Sequence, residues 1–212
     1  MSHKYCISVY GYLNSIILEN DGEFKSVEFE PVDDVTTLSK EDILKRIQTA
    51  GIVGMGGAGF PTHVKLAPKN MDAIQYIIAN GAECEPYITC DDQLMRSRAD
   101  GIVTGMEIML SLFPNAEGVV IIEENKPEAI AAMEKACEGH AKVKVLPVQT
   151  KYPQGGERSC ITVVTGKHLK LGMLPADLGC VVDNVATIYA IYEAVCKSTP
   201  LMVKGLTVSG DA

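Results

Sequence analysis

The sequence lacks an apolar run long enough to cross a bilayer, which would take about 18–20 residues. Its longest apolar stretches, such as residues 118–122 and 180–182, have the length of buried strands. Residues 1–10 are mixed in character and predict no signal peptide. We therefore expect no direct membrane insertion, and any membrane association is expected to go through a partner subunit.

The sequence also has fewer basic than acidic residues. The chain has 19 Lys and Arg against 27 Asp and Glu, which gives a formal net charge of −8. A surface that binds nucleic acid needs clustered basic side chains, and here they are scattered, so nucleic acid is not expected as a partner. A nucleotide cofactor stays compatible with this charge, because backbone N–H groups and helix N-termini can hold a phosphate.

Cysteine spacing excludes the common zinc and redox motifs. Seven cysteines are present, no pair of them forms C-x-x-C, and no histidine pair has a zinc-binding spacing. The odd count fits reduced thiols in a cytosolic protein. We predict no metal site from these residues.

The N-terminal residues predict a small β segment. Apolar and polar residues alternate through residues 1–36, and Asp21-Gly22 is a typical hairpin turn between such runs. We assign residues 1–36 to this segment, which has too few strands to be stable alone.

Residues 37–212 predict one α/β domain. Ser39 is placed to cap a helix, with Asp42 three residues later, and Gly51 ends that helix. Runs of strand length at residues 74–79, 118–122, 142–148 and 180–182 alternate with helical patterns at 90–112, 127–137 and 184–196. This alternation predicts a mainly parallel sheet flanked by helices.

Five glycines between residues 51 and 59 form the most informative stretch. Gly54, Gly56 and Gly59 match G-x-G-x-x-G, but a dinucleotide fingerprint needs a strand before it and a helix immediately after it. Here a helix precedes the glycines and Phe-Pro-Thr (residues 60–62) follows them, so that interpretation fails. A loop with little side-chain bulk lets a flat ligand or a phosphate approach the backbone. The alternative, a flexible linker, leaves the rigid Phe-Pro pair and Lys65 unexplained.

Residues 54–65 (GMGGAGFPTHVK) resemble the RnfC family of Rnf-type ferredoxin–NAD oxidoreductases, and more distantly the FMN-bearing subunit of respiratory complex I. Three further blocks, at residues 80–89, 152–157 and 183–187, agree with that family in order and spacing. Four separated blocks are far more specific than one glycine pattern. Residues 1–36 resemble the tail of a barrel-sandwich segment in that family, and residues 207–210 resemble the start of its next domain.

The resemblance implies a Rossmann-like fold in which FMN lies in a cavity and NADH stacks above the flavin. It assigns the flavin site to Gly54, Gly56, Gly57, Lys65, Asn80, Glu83, Gly155, Gly156, Asn184 and Thr187, and the NADH side to Phe60, Glu85 and Glu157. Each residue type suits its role: Lys65 is a point charge for a phosphate, Asn184 opens a helix, and Phe60 offers a face to a base.

Simpler interpretations stay open for several of these positions. Glu83 and Glu85 are compatible with ordinary solvated acids, and residues 152–156 with a plain turn. Cys84 fits a small packing residue. Met55 stands where complex I carries a basic residue, so that phosphate contact is not expected here.

The family's iron–sulfur cysteines are missing from these residues. The sequence contains no C-x2-C-x2-C-x3-C run, so we predict iron–sulfur clusters only in a C-terminal part that lies beyond it.

The implied function is that of an electron-entry module in an NADH-linked electron transport complex. Hydride exchange between NAD(H) and FMN needs stacked rings rather than an acid–base side chain, and electrons then pass to or from iron–sulfur centres and ferredoxin. The implied partners are the other subunits of an Rnf-type membrane complex and, indirectly, ferredoxin, on the cytoplasmic face of the cell membrane. Two alternatives remain. One is a soluble RnfC-like protein that feeds NADH electrons to an amino-acid reductase, and the other is a docking scaffold that has lost its flavin.

Overall fold

A two-stranded antiparallel hairpin comes first in the computed structural model, which describes residues 3–8, 11–16, 19, 21–23, 25, 30–32 and 34–210. Strand β1 (His3–Ser8) pairs with β2 (Gly11–Ile16), and the two residues between them are the length that tight hairpins use. The predicted turn at Asp21-Gly22 therefore follows the paired strands and does not join them. Gly22 has a φ of +81°, as such a turn requires. The apolar positions predicted beyond it, at residues 24, 27 and 29, lie outside the described residues.

Helix α1 (Lys40–Thr49) begins where its capping residues predict. Ser39 Oγ accepts the N–H of Asp42 at 3.1 Å, and the Asp42 carboxylate accepts the N–H of Ser39 at 3.4 Å. Ile47 is fully buried on the inner face of the helix. Gly51, in the left-handed region at φ +70°, follows its end. The predicted helix is confirmed at both ends.

Four parallel strands form the sheet at the centre of the domain, in the order β5-β4-β3-β6. The strands are β3 (Tyr76–Gly81), β4 (Glu117–Glu123), β5 (Val143–Val148) and β6 (Cys180–Asn184). Successive side chains of β3 alternate between two apolar clusters, with Ile77 and Ala79 in one and Ile78 in the other. Both faces of the sheet are therefore covered, as is usual for parallel strands.

Helices cover the two faces unequally. One face carries α1 together with α3 (Cys90–Leu112), α4 (Pro127–Ala136) and α6 (Val185–Cys196), and the other carries α5 (Glu157–Thr165). The single turn α2 (Thr62–Lys65) follows the glycines, and short 3-10 turns occupy Val35–Thr37, Met71–Ala73 and Pro175–Leu178. Within the described part of the chain, none of the helices has both the length and the hydropathy of a membrane-spanning helix.

Helices α3 and α6 cross at very short range because α3 carries glycine at the crossing. A Cβ added to Gly105 would lie 2.3 Å from the carbonyl oxygen of Ile188 in α6. A Cβ on Gly101 would lie 2.6 Å from the ring of Tyr189. At Gly105 no side chain larger than hydrogen fits unless one helix moves, and at Gly101 the ring of Tyr189 would have to shift.

The direction of strand addition reverses at β3. From β3 the chain adds β4 and β5 on one side, and it then returns through α5 to place β6 on the other side. In open α/β sheets, ligands bind in the crevice beyond the carboxyl ends of the strands at such a reversal. Asn80 of β3 and Asn184 of β6 are register partners at this edge. The predicted fold class is confirmed, whereas α2 and α5 were not predicted from the sequence.

Candidate functional site

The glycine loop (residues 51–61) closes on itself beside this edge of the sheet. The N–H of Gly54 donates to the Phe60 carbonyl at 2.9 Å, and the N–H of Thr62 donates to the Ile52 carbonyl at 3.1 Å. Helix α1 leads directly into the loop. The glycines therefore do not form a strand-to-helix turn, which confirms the rejection of the dinucleotide fingerprint.

The glycine loop packs against the start of α6. The N–H of Met55 donates to Thr187 Oγ1 at 3.0 Å. A Cβ on Gly56 would lie 2.9 Å from the Cβ of Asn184, so this position accepts only glycine unless Asn184 moves. A Cβ on Gly57 would meet no heavy atom of the described residues within 4 Å, so this part of the loop borders open space.

Asn184 uses its side chain within the protein. Its Oδ1 accepts the N–H of Ala186 at 2.9 Å, which caps α6, and its Nδ2 donates to Asp91 Oδ2 at 2.6 Å. The same Nδ2 lies 3.5 Å from the Asn80 carbonyl oxygen. Asn184 therefore connects the first turn of α3 to the ends of both central strands.

The second and third sequence blocks meet through Asn80 and Gly155. Asn80 Nδ2 donates to the Gly155 carbonyl at 2.8 Å, and Asn80 Oδ1 accepts the N–H of Ala82 at 3.1 Å. The N–H of Gly155 donates to Cys84 Sγ at 3.3 Å. A Cβ on Gly155 would lie 2.4 Å from the Ala82 carbonyl oxygen, so glycine is required by the close approach of two backbones. Gly156 follows as the N-cap of α5.

Glu83 caps α3 from outside the helix. Its carboxylate accepts the N–H of Asp91 at 2.8 Å and the N–H of Asp92 at 3.2 Å, and it lies 3.4 Å from Lys126 Nζ. The residue is only 7% exposed. Glu83, Cys90 and Asp91 bring ligand atoms within 4.8 Å of one another, but hydrogen-bond donors already occupy both oxygens of Glu83. The interpretation of Glu83 as a solvated acid is therefore wrong.

Lys65 is held by the end of β6. Its ammonium donates to the Val182 carbonyl at 2.7 Å and to Asp183 Oδ1 at 3.1 Å. Asp183 is buried, and its Oδ2 has no hydrogen-bond partner among the residues that the structure describes. Burial raises the pKa of Asp183 to about 6, and the Lys65 charge opposes this rise without cancelling it.

The three residues assigned to the NADH side are more exposed than the polar side chains assigned to the flavin. Phe60 is 50% exposed, and Glu85 and Glu157 are also exposed. Phe60 lies in the glycine loop, Glu85 follows β3, and Glu157 begins α5. We call these three residues the rim of the candidate site.

Sequence reasoning missed Asp91 and Asp183. A signal was present for Asp183. An acid that directly follows two strand valines and precedes a helix-capping Asn is expected to be buried, and a buried carboxylate needs a charged or hydrogen-bonding partner. Nothing local marked Asp91, since it is one of two adjacent acids in a first helical turn, where acids are common.

A family model described as the Nuo51 FMN-binding domain matches residues 47–193, which include all four sequence blocks. The chain belongs to this family.

Named relatives of this Nuo51-family chain are members of larger complexes. The C subunit of the proton-translocating ferredoxin:NAD(+) oxidoreductase complex of Clostridium ljungdahlii is 46% identical over 204 residues, which cover 96% of this chain and 44% of the relative. The C subunit of the Na(+)-translocating ferredoxin:NAD(+) oxidoreductase complex of Acetobacterium woodii is 40% identical, with coverage of 93% and 45%. The C subunit of the ion-translocating oxidoreductase complex of Haemophilus influenzae is 41% identical, with coverage of 93% and 30%. The predicted resemblance is confirmed, and the chain spans less than half the length of these relatives.

Solved structures share the fold. The air-oxidized crystal structure of an NAD+-reducing NiFe-hydrogenase superposes with a TM-score of 0.61 at 25% identity, over 73% of this chain and 30% of that one. The H2-reduced form gives a TM-score of 0.64 at 24% identity, over 78% and 33%. The Nuo51-family α/β architecture therefore recurs in a different enzyme.

The residues of this chain fit the flavin for which the Nuo51 FMN-binding family is named. Two of the three ammonium hydrogens of Lys65 are used by Val182 and Asp183, which leaves one donor on a side chain that is 27% exposed. Residues 56–58 donate no backbone hydrogen bond within the described part of the chain. A phosphate needs such donors, and a flat ring needs the open space beside Gly57.

Proposed function

We propose that this chain binds FMN and NAD(H) and is an electron-entry module in which hydride is exchanged between the two. The observation that carries the proposal is the convergence of four separate sequence blocks at the carboxyl edge of β3 and β6. The contacts Met55–Thr187, Asn80–Gly155 and Asn184–Asn80 join them. Nothing in the apolar core requires these polar residues to lie together, whereas a ligand site does.

In this proposal the glycine loop and the polar residues beside it hold the flavin. Lys65 and the N–H groups of the glycine loop (Gly54, Gly56 and Gly57) bind the phosphate and ring edge, and Asn80, Glu83, Gly155, Gly156, Asn184 and Thr187 complete the pocket. Asp183 holds the Lys65 ammonium toward this pocket, so that its remaining N–H is available to an anion. Glu83 acts by fixing the first turn of α3, and Asn80 by fixing the loop at Gly155.

The rim residues bind the nicotinamide nucleotide. Phe60 offers a half-exposed ring face for stacking, and Glu85 and Glu157 supply acceptors for ribose hydroxyls. FMN held at this site would supply two-electron hydride chemistry toward NADH and one-electron chemistry toward a further acceptor. The protein is then required only to stack the two rings and exclude water, since no acid–base side chain takes part.

The wider assignment follows from the relatives and rests on them. We propose that residues 37–212 are the FMN/NADH-binding domain of a protein that works with the other subunits of an Rnf-type membrane complex on the cytoplasmic face. Ferredoxin would exchange electrons with it indirectly, through iron–sulfur centres in parts of the protein beyond these residues. Contact with the membrane is through those subunits, and neither nucleic acid nor direct insertion is involved.

Titration with FMN tests the proposal. We expect flavin fluorescence to be quenched with a dissociation constant in the micromolar range or below, about −8 kcal/mol. Gly57→Val should abolish quenching and leave the thermal midpoint nearly unchanged, because its Cβ enters open space in the protein but occupies room that the ring needs. No quenching of the unmodified chain at about 100 µM FMN would favour a docking scaffold without flavin. Equal quenching by the valine variant would make the glycine loop a linker.

A further inference from the structure

The segment after α6 attaches itself to both loops that flank the site. We name residues 199–207 the C-terminal strap. The N–H of Leu201 donates to the Ala50 carbonyl at 2.9 Å, Lys204 Nζ donates to the Met55 carbonyl at 2.8 Å, and Thr207 Oγ1 accepts the N–H of Thr89 at 3.0 Å. The strap lies outside residues 47–193, the part that matches the family model.

Met55 is the last anchored residue of the glycine loop before its most glycine-rich part. Its N–H is held by Thr187 and its carbonyl by Lys204. From Gly56 to Gly59, no backbone hydrogen bond forms among the described residues. Glycine loses more conformational freedom on ordering than any other residue, so the cost of fixing this stretch is high.

The Met55 side chain packs against the apolar core, but it also borders open space. A cavity of about 490 Å³ lies there, and Met55, Asp91 and Lys204 are among its lining residues. The Lys204 charge also acts on Asp91: burial raises the pKa of that carboxyl, and the Lys204 ammonium opposes the rise. Packing therefore restrains the Met55 side chain, whereas the direction of its backbone carbonyl is fixed by the hydrogen bond from Lys204.

We propose that Lys204 is a positioning residue of the flavin site, an inference that rests on the proposed function. A trans peptide is planar, so the N–H of Gly56 points away from the carbonyl that Lys204 holds. By fixing the Met55 carbonyl, Lys204 fixes the direction of the Gly56 N–H before the ligand arrives. The ordering cost is then met in the free protein, and FMN binds more tightly.

Three variants of the chain separate this role from charge and from stability. Lys204→Met removes the side-chain donor to the Met55 carbonyl, and Lys204→Arg keeps a charged donor at this position. Lys170→Met removes a positive charge from an exposed loop residue elsewhere. We expect Lys204→Met to weaken FMN binding about tenfold in a fluorescence titration, and the other two to stay within about twofold of the unmodified chain. Thermal midpoints should agree among all four proteins. Equal affinities of Lys204→Met and Lys170→Met, or no rescue by arginine, would overturn the inference.

A second measurement needs no flavin. In the ligand-free protein, amide exchange at Met55 should be about tenfold faster in Lys204→Met than in the unmodified chain or in Lys204→Arg, because residue 55 has lost one of its two backbone anchors. If the unmodified chain binds no FMN, the proposed function fails while this comparison still reports on the loop. If exchange at Met55 is the same in all variants, Lys204 does not position the loop.

Discussion

The candidate site has two regions that differ in what holds them. In the floor (Lys65, Asn80, Glu83, Asp183 and Asn184), each side chain makes a hydrogen bond or ion pair inside the protein. In the rim (Phe60, Glu85 and Glu157), the side chains are exposed. Floor residues therefore stabilise the fold in addition to their proposed role in binding, so a substitution there changes stability and binding together. Rim residues are free to report on binding alone.

The largest expected effect is a loss of stability on substitution of Glu83, which the same substitution of Glu85, two positions later, should not cause. Glu83→Ala removes the cap of α3 and leaves Lys126, whose side chain is only 14% exposed, without its carboxylate. We expect the free energy of unfolding to fall by about 3 kcal/mol. Urea denaturation measures this.

Glu85→Ala is the matched control. Because Glu85 is exposed, its removal should change the free energy of unfolding by less than about 0.5 kcal/mol. Similar losses for the two alanine variants would erase the distinction between floor and rim.

The next effect concerns pH. The pKa of Asp183 is raised to about 6 from 3.8, so between pH 4 and 6 the folded state holds a proton that the unfolded state has lost. Stability due to this group therefore falls as pH rises through that window, by up to about 3 kcal/mol. Asp183→Asn should remove that slope, and unfolding measured at pH 4, 5, 6 and 7 tests it.

Asp42 supplies a control of opposite sign. Hydrogen bonds from Ser39 lower the pKa of Asp42, so its contribution is lost as pH falls. Asp42→Asn should therefore remove a contribution to the free energy of unfolding that increases as pH rises. If the difference in the free energy of unfolding between Asp183→Asn and the unmodified chain is the same at every pH from 4 to 7, the pKa of Asp183 is not raised by folding.

The smallest effect should appear only in kinetics. Phe60→Ala removes the half-exposed ring, so we expect NADH reduction of bound FMN to slow about tenfold at sub-saturating NADH, with FMN affinity within about twofold. Stopped-flow absorbance at the flavin band measures the rate. Val64→Ala, which trims an exposed apolar side chain on α2, is the control. Equal rates for the two variants would remove Phe60 from the nucleotide site.

Local signals predicted the parts of the fold that local physics determines. Ser39 and Asp42 predict the start of α1 because a capping box involves only neighbouring residues. The buried strands follow from short apolar runs. Helix α5 escaped prediction because residues 161–165, Ile-Thr-Val-Val-Thr, are β-branched and favour strands, while burial of Cys160 and Ile161 against the sheet favours the helix.

The resemblance predicted the members of the proposed site but not the contacts between them. The resemblance supplied Lys65, Asn80 and Asn184, and their roles as ligand contacts remain a proposal. The partners of these residues lie far away in sequence: Lys65 pairs with Asp183, 118 positions on, and Asn184 with Asp91, 93 positions back. No periodicity or spacing carries information on such pairs, because the sheet brings them together only after it has formed.

The glycine crossing of α3 and α6 gives remote positions control over the site. Both helices begin at the crevice, at Thr89-Cys90 and Asn184-Val185, and their separation is set where Gly105 meets Ile188. Gly105 lies 15 residues after Cys90, beyond a kink at Arg98, where the backbone leaves the helical conformation (φ −138°, ψ 27°). A bulkier residue in place of Gly105 would push the two helix starts apart and change the distance between Asp91 and Asn184 without touching any ligand. In a random-mutagenesis screen for protein that has lost the flavin colour, substitutions at Gly101 and Gly105 would thus report on the spacing of the two helices and not on residues that contact the flavin.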